Sequence, residues 1–349
     1  ERRSEDEAGR LSLPGFGDDS NAVVSADGEM VAMVDRESIR VLDASSAETV
    51  CHIPSTREAA RRLAFSADGR LLVIIDDTIR WCDAADGRVI ARFESSPPSG
   101  SPKSFALSAD GLTLAIVGYG SLNKFYSTYR CEPSTGRVYQ LSRDSTSGAG
   151  TLFASALSPD GELIAVGRLM DGAFRIYGTG PQAEASGRGA SHPSPLTALA
   201  FDGDGKRLAS ADRRGTIKIW GDLDQLEGTS VPQAVLKGHE EEVTDLAFSP
   251  DGKKLASSST DHTARVWDTL SLPTASWPLE QLADRAYQVR YSPDGLLLAV
   301  ASGTSVRLWD AATGRLVREI TPAAEHDAYS VAFSPANHRL LAVGHGGTP

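Results

Sequence analysis

The sequence contains only three cysteines, Cys51, Cys82 and Cys131, an odd and widely spaced set with no C-x-x-C pair. That excludes a disulfide framework and a zinc knuckle. It leaves the three as small buried hydrophobes of a reducing compartment. No apolar run approaches the roughly eighteen residues of a membrane span, and no basic-then-apolar leader stands at the start. The expectation is a cytoplasmic protein. Basic residues are outnumbered, with 35 Lys and Arg against 46 Asp and Glu and a net charge of −11. Nonspecific binding to nucleic acid or an anionic membrane needs clustered Lys and Arg, so neither partner is expected. No G-x-x-x-x-G-K-[ST], H-E-x-x-H or G-x-S-x-G occurs, so phosphate loops, zinc-protease helices and hydrolase elbows are absent as motifs. No catalytic residue, cofactor or metal is expected. Helical 3.6-residue periodicity is scarce throughout.

What the sequence has is repetition. The copies are "VSADG" 24–28, "FSADG" 65–69, "LSADG" 107–111, "LSPDG" 157–161, "FDGDG" 201–205, "FSPDG" 248–252, "YSPDG" 291–295 and "FSPAN" 333–337. Their spacings are 41, 42, 50, 44, 47, 43 and 42 residues. A period in the forties with β character points to propeller blades of four strands.

Each unit has one internal logic. An alternating run such as "VTDLAFS" 243–249 leads into the turn, which gives a strand with two unlike faces. The Asp-Gly or Ala-Asn pair supplies a residue that tolerates positive φ, as a tight hairpin requires. A second apolar run follows, as in "LLVII" 71–75 and "LIAVG" 163–167. A third strand comes next, as in "TIRWCD" 78–83, "TIKIWG" 216–221, "TARVWD" 263–268 and "SVRLWD" 305–310. A weaker fourth often closes the unit, as in "GRVIARF" 87–93 and "GRLVREI" 314–320. The recurring Asp-Gly carboxylates are turn residues, one per unit and too far apart to act as a catalytic pair.

Period, S-P-D-G turn, "GH" at 238–239 and Trp-Asp at 267–268 and 309–310 coincide, with Trp-Gly at 220–221 as a variant. Together they resemble the WD40-repeat β-propeller family over roughly residues 20 to 345. The resemblance implies an all-β propeller of four-stranded antiparallel blades. It also implies a buried hydrogen-bonded set of His, Asp, Ser or Thr, and Trp in some blades. Only repeat six matches residue by residue, with His239, Ser257, Asp261 and Trp267. Repeat five keeps His192, but Arg214 occupies the aligned Asp position. The other repeats are expected to rest on apolar packing alone. Trp81, Trp220, Trp267 and Trp309 fall on third strands, as core residues.

The pattern breaks in three places. Repeat three, 119–142, has an aromatic third strand and a longer following loop. Repeat four has no good fourth strand, and "GTGPQAEASGRGASHPSP" 178–195 reads as a surface loop. Repeat eight stops after "YSVAFS" 329–334 and "RLLAVG" 339–344, where a third strand should begin. A lone half-blade leaves open strand edges. Residues 1–19 are read as a charged tail holding a candidate ring-closing strand, 9–16, and residues 20–349 as the propeller with its last repeat incomplete. Eight blades are favoured. The alternative is a seven-bladed ring, with the eighth repeat beginning something cut away. Glu1 and the missing strand lead to the expectation of a piece of a longer protein.

In the family, the loops before strand one and between strands two and three share a face. Here that face would carry Asp35, Arg36, Asp76, Asp77, Tyr119, Arg168, Arg213, Arg214, Glu240, Glu241, Glu242, Arg285, Glu325 and Asp327. Mixed charge suits a protein or peptide partner. The expected function is a non-catalytic sensor or scaffold module of a larger, effector-bearing protein, as in bacterial-style WD40 arrays. Other domains of the same parent chain are counted among its partners. The alternative is a propeller-type enzyme such as a lactonase or a peptidase-associated propeller. It would need convergent His, Asp or Glu around a metal at the central channel, and the sequence offers no such ring.

Overall fold

A computed structural model describes residues 22–344 apart from 26–28, 36–37, 44–45, 47, 55–61, 67, 76–77, 94–101, 109, 120–123, 133, 147–151, 169–171, 179–187, 224–225, 227–229, 271–275, 280–281, 304, 322–327 and 334–339. Its regular elements are thirty strands in antiparallel meanders, with no α-helix among the described residues. Sheet one holds β1 (Ala22–Val24), β2 (Met30–Asp35), β3 (Ser38–Asp43) and β4 (Thr49–Pro54). Sheet two holds β5 (Arg62–Phe65), β6 (Leu71–Ile75), β7 (Ile79–Asp83) and β8 (Val89–Phe93). Sheet three holds β9 (Pro102–Leu107), β10 (Thr113–Tyr119), β11 (Lys124–Glu132) and β12 (Arg137–Thr146). Sheet four holds β13 (Leu152–Leu157), β14 (Leu163–Arg168), β15 (Ala173–Gly178) and β16 (Arg188–Ser191). Sheet five holds β17 (Leu196–Phe201), β18 (Leu208–Asp212), β19 (Ile217–Trp220) and β20 (Ala234–Leu236). Sheet six holds β21 (Val243–Phe248), β22 (Lys254–Ser259), β23 (Ala264–Asp268) and β24 (Ser276–Pro278). Sheet seven holds β25 (Ala286–Tyr291), β26 (Leu297–Ser302), β27 (Ser305–Asp310) and β28 (Leu316–Ile320). A last pair, β29 (Ala328–Phe333) and β30 (Leu340–Gly344), forms a two-stranded sheet.

First strands of successive sheets lie side by side: β1 by β5, β9 by β13, and then β13, β17, β21, β25 and β29 in sequence. This is the arrangement of a β-propeller. Second strands are covered on both faces; β18 and β26 are almost wholly buried. Fourth strands face outward, and β28 is exposed along nearly its whole length.

The hairpin between strands one and two shows why S-x-D-G recurs. In sheet six the Ser249 backbone N–H bonds the Lys254 carbonyl (2.9 Å), and the Lys254 N–H returns to Ser249 Oγ (2.9 Å). Ser249 Oγ donates to Asp251 (2.7 Å), which also accepts the Lys253 N–H (3.1 Å). Gly252, at φ 67°, closes the turn. The same bonds recur around Ser66, Ser108, Ser158 and Ser292. Each serine is buried, so its hydroxyl satisfies a main-chain N–H that water cannot reach. Repeat five substitutes Asp202, whose Oδ1 accepts the Arg207 N–H (3.0 Å) while Oδ2 takes the Arg207 guanidinium (2.8 Å).

The hydrophobic core lies between sheets. Ile39, Val41 and Ile53 of sheet one pack on Leu63, Leu72, Ile74 and Cys82 of sheet two. Trp220 packs toward sheet four, Trp267 toward sheet five and Trp309 toward sheet six. No sheet buries both faces by itself, so each needs its neighbours. Trp81 sits one residue earlier than these tryptophans, and a one-residue shift in a strand turns the side chain to the other face. It packs forward against Leu114, Ile116 and Tyr129 of sheet three, and its N–H donates to the Gly111 carbonyl at 2.8 Å.

Two sequence expectations are corrected. Repeat four does have a fourth strand, β16, paired from Ile176↔Arg188 to Ala173↔Ser191. Its Gly189 approaches so closely that a Cβ would stand 2.0 Å from the Phe174 carbonyl oxygen, so a loop-like composition served close packing. Repeat three does not follow its third strand with a long loop. Strands β11 and β12 form a nine- and ten-residue hairpin closed around 134–136. The ring-closing role expected of residues 9–16 lies outside the described residues.

Candidate interaction face

The loop before β21 and the turn between β22 and β23 are joined in sheet six, where the Thr260 N–H bonds the Glu242 carbonyl at 2.9 Å. In sheet five the Arg213 N–H bonds the Pro195 carbonyl at 3.0 Å. These two kinds of loop therefore share one face.

Beneath that face runs the network of repeat six. The Trp267 indole N–H donates to Ser257 Oγ (2.9 Å), and Ser257 Oγ lies 2.7 Å from Nε2 of His239. Nδ1 of His239 lies 2.8 Å from Oδ2 of Asp261. With Ser257 donating to Nε2, the imidazole carries its proton on Nδ1 and gives it to the carboxylate. Asp261 also accepts the N–H of Glu240 (3.0 Å), the N–H of Thr263 (2.9 Å) and the Thr263 hydroxyl (2.6 Å). Burial alone would raise the Asp261 carboxyl. The His239 and Thr263 bonds outweigh it and hold the group well below the usual carboxylate range.

Repeat five carries a second complete network, contrary to the alignment that set Arg214 in the Asp position. His192 Nδ1 lies 3.1 Å from Asp212, its Nε2 lies 2.6 Å from Ser210, and the Trp220 N–H donates to Ser210 at 2.7 Å. Asp212, at the end of β18, also accepts the N–H groups of Arg214 (2.9 Å) and Thr216 (3.0 Å). His192 and Asp212 are both buried. Burial pushes the His192 imidazole down, despite Asp212 pulling the other way. Burial alone would raise Asp212, but the His192 bond and the two N–H bonds keep it lowered.

Repeat seven has Leu282 and Val300 where repeat six has His239 and Ser257, and both pack in the apolar core. Among the described residues the Trp309 N–H is consequently buried without a hydrogen-bond partner.

Of the face residues, Arg213, Arg214, Glu240, Glu241 and Arg285 are exposed, and Glu242 is half-buried. Arg213 Nε stands 3.4 Å from Glu242, an ion pair across the junction of sheets five and six. Asp35, Tyr119 and Arg168 lie at the ends of β2, β10 and β14. Arg36, Asp76, Asp77, Glu325 and Asp327 fall outside the described residues. The opposite face differs: Asp68–Arg70, Asp86–Arg88, Asp204–Lys206 and Asp251–Lys253 each neutralise charge within one turn.

Contacts that join neighbouring sheets were not foreseen from sequence. Arg207 reaches the Gly252 carbonyl (2.6 Å) and Thr269 (3.3 Å), and its guanidinium lies over the Phe248 ring at 5.4 Å. Lys254 reaches the Ala311 carbonyl (2.6 Å). On the inner strands Asp245 accepts the Val289 N–H (3.1 Å) and pairs with Arg290, and Gln288 accepts the Val331 N–H (2.7 Å). Asp245 and Gln288 hold equivalent places in their repeats, which is the signal a closer alignment carries. Among the described residues no three His, Cys, Asp or Glu side chains gather as a metal site.

The family described as WD domain, G-beta repeat (WD40) matches residues 188–221, 230–268 and 283–310. Solved structures share the fold at low identity. The computationally designed Ika8 protein is 19% identical with a TM-score of 0.73, covering 97% of this chain and 96% of its own. The C-terminal WD40 domain of Sif2 is 17% identical with a TM-score of 0.71 and 93% of each chain covered. Sqt1 of Chaetomium thermophilum, bound to the N-terminus of the ribosomal protein L10, is 23% identical with a TM-score of 0.72 and 93% of each covered. No curated protein matches the sequence. The chain thus carries three matched WD40 repeats and shares the propeller fold of these structures.

Proposed function

We propose that this chain is a non-catalytic protein-interaction module, a sensor or scaffold part of a larger protein, that binds a protein or peptide on the loop face of sheets five and six. One observation carries the reading. The exposed charges of Arg213, Arg214, Glu240 and Glu241 sit on turns whose main chain is fixed from below by Asp212 and Asp261. Side chains held on an ordered main chain lose less freedom on binding, which favours recognition. The Sqt1 complex supports a peptide as the class of partner, and fold alone does not fix the partner. A cytoplasmic setting is part of the proposal; Cys82 and Cys131 are buried, Cys51 is half-buried, and burial pushes the Cys131 thiol up to about 11.

The test is charge reversal. The wild-type chain and a variant with Arg213, Arg214, Glu240 and Glu241 reversed are used as baits in extracts of the source cells, with mass-spectrometric identification. A third bait carries reversals at Arg88 and Lys253 on the opposite face. Partners lost only with the loop-face variant support the reading. Partners that survive it, or that depend on Arg88 and Lys253, overturn it.

A further inference from the structure

The outer edge of each four-stranded sheet is its fourth strand, which bonds a neighbouring strand of its sheet on one side only. These edges fall into two groups. In β4, β8, β12 and β28 the pairing with the third strand skips one residue, so that Val50, Ile90, Leu141 and Val317 have no residue opposite. In β16, β20 and β24 the pairing runs without a skip. Length separates the two groups. The interrupted strands have six, five, ten and five residues, and the regular ones have four, three and three.

An open strand edge is a row of N–H and C=O groups that a strand of another molecule can pair with. An extra residue breaks that row, bends the strand and increases its twist. A strand of three or four residues offers too short a row to hold a partner, so it needs no interruption. Core packing does not account for the extra residues, since Val50 and Val317 are 45% and 57% exposed. The tight turns leading into these strands do not fix their place either. Those turns close at Glu48, Arg88 and Arg315, two residues before Val50, Ile90 and Val317. In β12 the turn closes at Arg137, and Leu141 follows four residues later.

We infer that the extra residues Val50, Ile90, Leu141 and Val317 guard the rim against edge-to-edge pairing with a second copy of this chain. Deleting one of them frees one edge per molecule. Two copies then join antiparallel about a two-fold axis normal to the shared sheet. Each freed edge is used once, so the product is a closed dimer. Freeing two edges in one molecule yields open chains instead. The deletion leaves the other side chains on their faces. Thr49 and Cys51 already stand opposite Leu42 and Val41, which are consecutive residues of β3. This role of the rim stands apart from the interaction reading, whose site is the loop face.

The experiment compares the full wild-type chain with deletions of Val50, of Ile90 and of both, by sedimentation velocity over a concentration series with reductant present. Urea unfolding shows which variants keep a cooperative fold. The expected result is a monomeric wild type, a concentration-dependent dimer for each single deletion and larger species for the double deletion. Hydrogen–deuterium exchange of the dimer should slow in residues 49–54 for the Val50 deletion and in 89–93 for the Ile90 deletion. If one deletion fails to fold, the other carries the test alone. A folded deletion variant that stays monomeric overturns the inference, as does a dimer whose freed strand exchanges as fast as in wild type. Failure of both deletions to fold also overturns it, because the extra residues would then serve the fold and not its edge.

Discussion

The Asp212 carboxylate stands 3.1 Å from the His192 imidazole, yet it lies two residues nearer its strand than the aspartate that serves His239. Two turns of different sequence therefore place a carboxylate on the same ring nitrogen. In each sheet that carboxylate also holds the main chain of an exposed turn, so the buried network fixes the shape of the face above it.

Asp212→Ala and Asp261→Ala are each expected to destabilise the chain by about 1–3 kcal/mol, the cost of stranding buried donors. Urea denaturation midpoints at neutral pH measure this. Equal midpoints for wild type and Asp212→Ala would remove Asp212 from the network.

Trp267→Phe and Trp309→Phe should differ. The first removes the donor to Ser257 Oγ, which keeps its bond to His239, whereas the second removes an N–H that has no partner among the described residues. Trp267→Phe is expected to cost about 1 kcal/mol more than Trp309→Phe, in line with the net value of a hydrogen bond. A larger loss at Trp309 in thermal or urea unfolding would contradict this.

Acid should weaken the fold in two stages. His192 is pushed down in the folded state, so the unfolded chain binds its proton first. The stability tied to neutral His192 is full above about pH 6.5 and falls as pH drops below that value. Asp212 and Asp261 are also lowered. Their contribution is present above the unfolded carboxylate value of about 3.9 and is lost as pH falls through their folded values. Urea midpoints between pH 7.5 and 5 should decline for wild type and flatten for His192→Gln. An unchanged slope in the variant would assign the decline elsewhere.

Arg207→Ala should cost about 3 kcal/mol, because it leaves buried Asp202 without its cation. Adding Asp202→Ser, the residue used in most other copies of this turn, should recover most of that loss. A double mutant no more stable than Arg207→Ala would mean that the contacts to Gly252 and Thr269 dominate.

Much of this fold is legible in one sequence because each repeat restates the same local demand. The Asp-Gly pairs announce turns, and Gly69, Gly111, Gly161, Gly205, Gly252 and Gly295 all adopt positive φ. The set at His239, Ser257, Asp261 and Trp267 was readable because its spacing follows the family pattern. Asp212 was missed because counting positions equates Arg214 with Asp261, whereas side-chain reach depends on the path of the turn. Strand β16 was missed because Gly189 and Ala190 look like linker, although one permits close backbone approach and the other is buried in the core. The contacts of Arg207 and Asp245 join residues some 45 positions apart and become visible only when neighbouring sheets are set side by side.

The most direct test of the central claim is hydrogen–deuterium exchange of this chain with and without a partner recovered by the charge-reversal experiment. Slowed exchange in residues 192–195, 213–216, 240–243 and 260–263, with the outer strands β20, β24 and β28 unchanged, is the expected result. Slowing confined to those outer strands, or to the Ser-x-Asp-Gly turns of the opposite face, would contradict it.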